Sequence, residues 1–280
     1  MSAYRFCRTD DIGLLVDSLN RCWSPHFPGE PPMTAAVFKR AIRDMQVWCS
    51  SCMVAFSGAD PIGVLIGAKR PSGTLIHTIA VHPDHVRQGH GRHLLESLSS
   101  KLAILGPPRL VAEVPETLAP ARELFSASGY VQEATLTDYI WASDDDERQH
   151  GLDGRFVIPV TVDDLAANGL LDDTGPQSCW KRGVETVMAR KADVAGLAIA
   201  SEECIEAYVL RAADGEIVSL RSLVDEGTVR LKHLLGRLRA QGRQRLSLPK
   251  VHPDEMSTTL LETLGFRPAT GHVLYAARAG

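Results

Sequence analysis

Along the first half of the chain, segments whose hydrophobic residues have the period of a β-strand alternate with segments whose hydrophobic residues have the period of an α-helix. Runs such as YRFCR, PIGVLIGAKR, TLIHTIAV, RLVAEV and VQEATLTDYIW predict β-strands, and WCSSCMVAF is interpreted as one more. Helical spacing of apolar residues appears in IGLLVDSLNRCW, AAVFKRAIRDM, GRHLLESLSSKLAILG and ARELFSASG. Thr9, Asp10 and Asp11 are predicted to cap the first helix. This order predicts an α/β fold with a mixed sheet flanked by helices.

The same pattern restarts in the second half. An acidic, glycine-punctuated stretch at 142–154 predicts a linker, and RF…TVDDLAANGLL then repeats RFCRTDDIGLL. Further on, the segment that begins at Arg245 repeats the one that begins at Arg109. A repeat of this length indicates two copies of one domain. We therefore predict two tandem domains, 1–145 and 155–280.

Composition narrows the range of partners. The 280 residues carry a formal net charge of -4, with no dense basic block, so neither nucleic acid nor a membrane surface is an expected partner. No secretory signal and no long apolar run is visible in the sequence, which favours a cytoplasmic protein. No metal site is predicted. The sequence does not indicate an oligomeric state.

A glycine pair marks the candidate ligand site. Gly89 and Gly91 lie between a predicted strand and an amphipathic helix, with Arg87 and Arg92 nearby. Glycine allows positive φ and close approach of the backbone, and N–H groups at a helix N-terminus bind anions. His85 and His90 can add partial positive charge. On spacing alone, a plain strand-to-helix turn remains an alternative.

The segment VHPDHVRQGHG, from Val81 to Gly91, resembles the acyl-CoA pyrophosphate loop of the GNAT N-acetyltransferase superfamily. Gly129-Tyr130 resembles a Gly-Phe/Tyr pair that is common in the same family. The loop departs from the family pattern at Val86, where Arg or Gln is usual. Because such a loop binds phosphate largely through backbone N–H groups, the substitution is expected to be tolerated. A second VHPD begins at Val251, but no such glycine pair follows it. We interpret the repetition of this tetrapeptide as coincidental.

The resemblance implies a fold, a reaction and a binding site for acetyl-CoA as co-substrate. Each domain would be a mostly antiparallel sheet with a splayed parallel strand pair, and an amine would attack the thioester directly. The pantetheine arm would lie along Ile79, Ala80 and Val81. The pyrophosphate would contact the residues of the loop and the helix start: Arg87, Gln88, Gly89, His90, Gly91 and Arg92.

Candidate residues for proton transfer follow from the same resemblance and from residue chemistry. His77 stands where many family members have a Glu base, and imidazole titrates near neutrality. Glu113, an acid within an apolar strand, is the second candidate base. Phe125 occupies the position of the family's usual Tyr acid and cannot donate a proton. His26 and Phe27, in a proline-rich loop, are predicted to line the acceptor pocket.

The second half lacks the corresponding chemistry. Val218 lies opposite His77, and Asp225 and Glu226 stand where a pyrophosphate would bind, so like charges would repel. We predict a single acetyl-CoA site, in the N-terminal domain, with a small amine or a peptide N-terminus as acceptor. The alternatives are a catalytically weak CoA-sensing or scaffolding protein, and a chain in which neither half binds CoA.

Overall fold

The chain forms two compact units that do not follow its two halves exactly. The computed structural model describes residues 2–141, 156–171, 179–225, 227–241 and 245–280. One unit comprises 1–134 with 273–280, and the other comprises 135–272. The predicted linker at 142–154 lies outside the described residues. The predicted boundaries, 1–145 and 155–280, follow chain order, whereas in the structure each of the strands 131–141 and 266–278 begins in one unit and ends in the other.

The first half of the chain supplies most of unit 1. Its elements are β1 (Ser2–Phe6), α1 (Ile12–Cys22), α2 (Ala35–Met45), β2 (Met53–Ser57), β3 (Asp60–Arg70), β4 (Gly73–Val81), α3 (His90–Leu105), β5 (Arg109–Pro115), α4 (Ala119–Ala127) and β6 (Val131–Trp141). Strands β1 to β4 pair antiparallel in chain order, and β4 pairs parallel with β5. This mixed sheet with a parallel pair confirms the predicted fold class.

The second half repeats this order with shorter helices. Its elements are β7 (Phe156–Val160), α5 (Val162–Ala167), α6 (Val184–Ala189), β8 (Val194–Ala200), β9 (Ile205–Ala212), β10 (Ile217–Ser222), α7 (Thr228–Ala240), β11 (Ser247–Val251), α8 (Thr258–Thr263) and β12 (Phe266–Arg278). Strands β7 to β10 form an antiparallel sheet in chain order. None of the described helices is long and apolar enough to cross a membrane.

Each unit is completed by the final strand of the other half. In unit 1, β12 lies next to β5, and its residues Val273 and Tyr275 are buried in the core beneath α3 and α4. In unit 2, β6 pairs antiparallel with β11, with Tyr139 opposite Leu248. Trp141 is buried in that core and donates its indole N–H to the Leu264 carbonyl at 2.8 Å. The hydrophobic core of each unit therefore contains residues from both halves of the chain.

Local structure departs from the sequence prediction at two places. Within WCSSCMVAF the strand begins only at Met53, because Cys49–Ser51 forms a short 3-10 helix in which the Cys52 N–H donates to the Cys49 carbonyl. Helix α1 begins at Ile12, and the predicted cap Asp11 instead accepts the backbone N–H of Arg8 at 2.8 Å. Both are tight turns that the period of hydrophobic residues does not reveal.

A half-buried carboxylate joins three segments of unit 2. Asp138 on β6 accepts hydrogen bonds from the backbone N–H of Lys250 (2.8 Å), from His272 Nε2 (3.0 Å) and from the Thr270 hydroxyl. Lys250 has a φ of +51° and lies where the β11–β6 register shifts. Burial alone would raise the pKa of Asp138, but these hydrogen bonds outweigh it and lower the pKa to about 2. The carboxylate thus holds the irregular strand β11 in place.

We expect Asp138 to make the stability of unit 2 depend on acidic pH. Its folded pKa lies below the unfolded value of about 3.9, so its contribution is complete above that value and is lost as pH falls toward 2. Asp138→Asn should lower the free energy of unfolding at pH 7 by about 1–2 kcal/mol and flatten the acid limb in chemical denaturation. Asp163→Asn, which removes an exposed partner of Lys191, is the control and should change neither quantity appreciably. If Asp138→Asn loses stability at acidic pH as the wild type does, the role assigned to Asp138 is contradicted.

The strand exchange predicts crossed effects of two core substitutions. Tyr275→Ala should destabilise unit 1 and Trp141→Ala should destabilise unit 2, each by roughly 3–5 kcal/mol, because each removes a buried aromatic ring. Hydrogen exchange read by mass spectrometry would locate the damage. Tyr275→Ala should speed exchange in α3 and β5 while sparing β8 and β9. Faster hydrogen exchange confined to the half of the chain that carries the substitution would contradict the predicted effect of the strand exchange.

Candidate active site

The parallel strands β4 and β5 form a fork. Within the described residues their ladder is confined to two pairs, Thr74 with Leu110 and Leu75 with Val111. Strand β4 continues to Val81 and β5 to Pro115. The facing edges of the two strands beyond the fork therefore keep backbone groups that the sheet does not use.

A β-bulge at His77 lies at the start of the fork. In the β3–β4 ladder Ile66 pairs with Thr78 and Gly67 pairs with Ile76, so His77 is the extra residue. A bulge increases twist and re-aims the side chain of the inserted residue. His77 is exposed, and its Nδ1 shares a 2.8 Å hydrogen bond with the Thr78 hydroxyl. The predicted base thus lies at the point where the strands separate.

The backbone beyond the bulge has a defined direction. His82 N–H donates to the Ile62 carbonyl, which marks that pair of the antiparallel ladder as hydrogen-bonded. Alternation then makes the pairs of Ile79 and Val81 non-hydrogen-bonded, so their N–H and C=O groups point away from β3, toward the fork. Ala80 uses its backbone groups on β3 instead. Of the three residues predicted to meet a pantetheine arm, Ile79 and Val81 therefore have backbone groups at the strand edge that faces the fork.

The loop before α3 follows from its VHPD sequence. Asp84 N–H donates to His82 Nδ1 at 3.3 Å, and Pro83–His85 forms a 3-10 turn. The second VHPD makes the same local bond, from Asp254 N–H to His252 Nδ1 at 3.1 Å, at the end of β11. The two VHPD sequences thus form the same kind of turn at the end of a strand. After the first copy, Arg87 and Gly89 adopt positive φ values of 63° and 87° and lead into the helix.

The two glycines of the loop have different roles. A Cβ on Gly89 would meet nothing within 4 Å, so its positive φ is what requires glycine there. A Cβ on Gly91 would lie 3.1 Å from Leu124 Cδ2, so Gly91 allows α3 to approach α4 closely. The first intrahelical bond runs from His93 N–H to the Gly89 carbonyl. The N–H groups of 90–92 precede it, outside the helical ladder.

Side chains around the loop are mostly engaged with the protein. Arg87 pairs with Glu123 of α4 at 3.0 Å, with both groups exposed, and Arg92 donates to the Ala127 carbonyl at 3.0 Å. Gln88 Nε2 donates to the Asp84 carbonyl at 3.3 Å. His90 is buried, and burial, followed by the nearby His85 and His93, lowers its pKa. Burial therefore opposes the partial positive charge that the sequence led us to expect at His90.

Glu113 and Phe125 lie on opposite faces of the sheet. The neighbours of Glu113 on β5, Ala112 and Val114, are buried with Phe125 in the core beneath α3 and α4. Alternation along the strand turns Glu113, which is half-buried, to the other face. The Glu113 carboxylate thus lies on β5, which is the arm of the fork opposite β4. It is on the face of the sheet away from α4.

Two tyrosines surround Phe125. Its ring contacts that of Tyr130 edge-on at 5.1 Å and stacks on that of Tyr275 at 5.7 Å. The Tyr130 hydroxyl is buried, finds no partner in the part of the chain that the structure describes, and burial raises its pKa. Tyr139 belongs to unit 2, where its hydroxyl bonds Thr258 at 3.2 Å. Tyr275 was not found from the sequence, because nothing in the pattern of β12 predicts that it joins unit 1.

The loop between α1 and α2 reaches the end of β4. His26 Nε2 donates to the Val81 carbonyl at 2.8 Å. Trp23 stacks on Phe27 at 4.4 Å, and its indole N–H donates to Glu30 at 2.9 Å. These contacts give the loop a fixed shape. They bring the predicted pocket residues His26 and Phe27 close to the fork.

Unit 2 retains the fork but covers it differently. A single parallel bridge, Glu216 with Ser247, joins β10 to β11, and Val218 is the bulged residue, as His77 is in unit 1. At the base of this fork Lys181 and Arg190 pair with Glu216. The buried guanidinium of Arg182 pairs with Glu255 and donates to the Lys250 carbonyl at 3.3 Å.

The start of α7 also differs from the start of α3. Gly227 has a right-handed φ of -66°, and a Cβ there would lie 1.7 Å from Ser222 Oγ. Asp225 is exposed, and Glu226 lies outside the described residues. The second copy therefore lacks the open, left-handed glycine that precedes α3. Salt bridges cover the base and one arm of its fork.

Comparison with known proteins identifies the fold. Residues 14–130 match the model of the acetyltransferase (GNAT) family. The tandem GNAT protein from the clavulanic acid biosynthesis pathway is 16% identical, with a TM-score of 0.64 over 100% of this chain and 98% of that one. A GCN5-related N-acetyltransferase from Sphaerobacter thermophilus is 14% identical, with a TM-score of 0.68 over 99% and 96%. No curated protein gave a significant match. At these identities the solved structures establish the fold.

Proposed function

We propose that this chain, whose residues 14–130 match the acetyltransferase (GNAT) family, transfers acetyl from acetyl-CoA to a primary amine at one site, in unit 1. The observation that carries the proposal is the fork between β4 and β5, which opens beside the uncapped start of α3. The amine nitrogen would attack the thioester carbonyl, forming the C–N bond and breaking the C–S bond. The ammonium proton must leave before attack, and the thiolate must gain a proton afterwards.

The described residues fit the two ends of acetyl-CoA. A pantetheine arm in the fork would bond the free edge of β4 at Ile79 and Val81, with Ala80 between them. Its pyrophosphate would accept N–H groups at the start of α3, where the helix dipole favours negative charge. Gly89 gives the backbone room at that point. Arg87 and Arg92 would add positive charge at the rim, with Gln88 beside them.

His77 is the first candidate for the base that deprotonates the amine. The bulge presents it where the strands part, and the bond to Thr78 fixes the orientation of its ring. A neutral imidazole can accept the proton directly or through a water molecule. Glu113, on the opposite arm of the fork, is the second candidate.

The leaving thiolate lacks the usual tyrosine, because Phe125 has no hydroxyl. Tyr130 supplies a buried phenol that contacts Phe125 and has no hydrogen-bond partner among the described residues. Because burial raises its pKa, this phenol stays protonated and can donate a hydrogen bond to a thiolate. Tyr130 is therefore the residue to test as acid, with protonation by water as the alternative.

The acceptor would enter beside the α1–α2 loop. His26 and Phe27 lie there, and His26 is already bonded to the Val81 carbonyl at the edge of the fork. A small amine and a peptide N-terminus both suit an aromatic, partly exposed loop. In unit 2 Gly227, at the start of α7, is right-handed and crowded by Ser222, unlike Gly89, which supports a single site.

Gly89→Glu tests the phosphate-binding end. A carboxylate at the start of α3 would repel a pyrophosphate, so the affinity for acetyl-CoA should fall at least about 100-fold by calorimetry. Gly58→Glu is the matched control, because Gly58 also has a positive φ, 62°, and open surroundings. Its affinity should match that of the wild type. Equal losses in both variants would point to folding damage and contradict the assignment of the loop.

His77→Ala tests the base. Turnover with a responsive amine should fall about 100-fold, while the affinity for acetyl-CoA stays unchanged, because the imidazole acts on the amine. The rate should also lose its dependence on pH near neutrality. Glu113→Gln, measured in parallel, would show the larger loss if Glu113 is the base. Acetyl-CoA binding without CoA release across amines and peptides would instead favour a sensing or scaffolding protein.

A further inference from the structure

The start of α3 is held in place by something other than a cap. Helices commonly begin with a side chain that accepts the first N–H groups. Gly89 occupies the cap position of α3, and no described side chain caps it. The N–H groups that would receive a phosphate are left available by this arrangement. The orientation of the first helical turn must therefore be set from elsewhere.

Tyr4 of β1 contacts this turn from within unit 1. Its hydroxyl and His90 Nδ1 share a hydrogen bond of 2.6 Å, and its ring lies 3.9 Å from that of His93, centre to centre. His90 and His93 are three positions apart, so they share one face of α3. Strand β1 is fixed by its ladder to β2, in which Tyr4 pairs with Ala55. The phenol thus ties the helix start to the sheet.

The burial of these groups makes the tie specific. His90 is 7% exposed, so its imidazole has little access to water as an alternative partner. Burial also raises the pKa of Tyr4, which keeps the phenol protonated and able to donate. On another side of the same turn, Gly91 packs against Leu124. Side chains of the first turn therefore anchor it to the protein, while its N–H groups remain for a ligand.

We propose that Tyr4 is a positioning residue for the acyl donor, which fixes the first turn of α3 through His90 so that its backbone N–H groups meet the donor's phosphates. This inference rests on the proposed function, because it assumes that the phosphates bind at α3. It predicts that Tyr4 affects only donors that carry phosphate. Under the proposed function the reacting carbonyl and the amine would lie at the fork, away from Tyr4.

Tyr4→Phe separates positioning from a general structural role. With acetyl-CoA the KM for the donor should rise about five- to tenfold, the effect of one lost hydrogen bond, with little change in kcat. With S-acetylpantetheine, which lacks the pyrophosphate and nucleotide, kcat/KM should be unchanged. Tyr208→Phe, which removes the buried hydroxyl bonded to the Leu170 carbonyl in unit 2, is the control and should alter neither donor.

A second variant tests the route through His90. His90→Leu removes the same hydrogen bond from the other side, so the double variant with Tyr4→Phe should lose no more acetyl-CoA affinity than His90→Leu alone. Equal losses with both donors, additive losses in the double variant, or no loss in Tyr4→Phe would each overturn the inference. A wild-type protein that uses S-acetylpantetheine as well as acetyl-CoA would instead overturn the proposed phosphate site, and the inference with it.

Discussion

Strands β4 and β5 stop pairing after Leu75 and Val111, and every feature of the candidate site depends on that separation. Sheet strands normally satisfy their backbone groups on both sides, so an open edge inside a sheet is costly without a partner. The bulge at His77 gives the separation a fixed place and brings a titratable side chain to it. Ile79 and Val81 then turn backbone groups toward the fork, where the Val81 carbonyl accepts a hydrogen bond from His26, and the turn after Val81 leads directly into α3.

The two units have the same fork with different residues around it. Both have a bulge at the equivalent residue, His77 or Val218, which shows that the geometry of the strands survives changes in chemistry. In unit 2 Lys181 and Arg190 pair with Glu216 at the base of the fork, and Arg182 pairs with Glu255. The second half of the chain also contributes to unit 1. Its residues Val273 and Tyr275 belong to the core beneath α3, so the core under the candidate site contains residues from both halves of the chain.

The sequence predicted what depends on local pattern. Strand and helix order, the repeat and the special role of Gly89 follow from residue periods and from the backbone freedom of glycine. The burial of His90 and the packing role of Gly91 were not predicted, because each depends on a contact with a distant residue, Tyr4 or Leu124. Tyr275 was missed for the same reason, since a strand pattern shows which faces are apolar but not which sheet the strand joins. Similarly, the 3-10 turn at Cys49–Ser51 was not predicted, because the apolar residues beside it give the segment the pattern of a strand.

The central claim is one acetyl-CoA site per chain, at the fork of unit 1. The stoichiometry of acetyl-CoA binding to the full chain, measured by isothermal titration calorimetry, tests it most directly. We expect one equivalent of acetyl-CoA to bind, with a single transition. Two equivalents would show that the fork of unit 2 also binds, and the absence of any binding heat would contradict the account altogether.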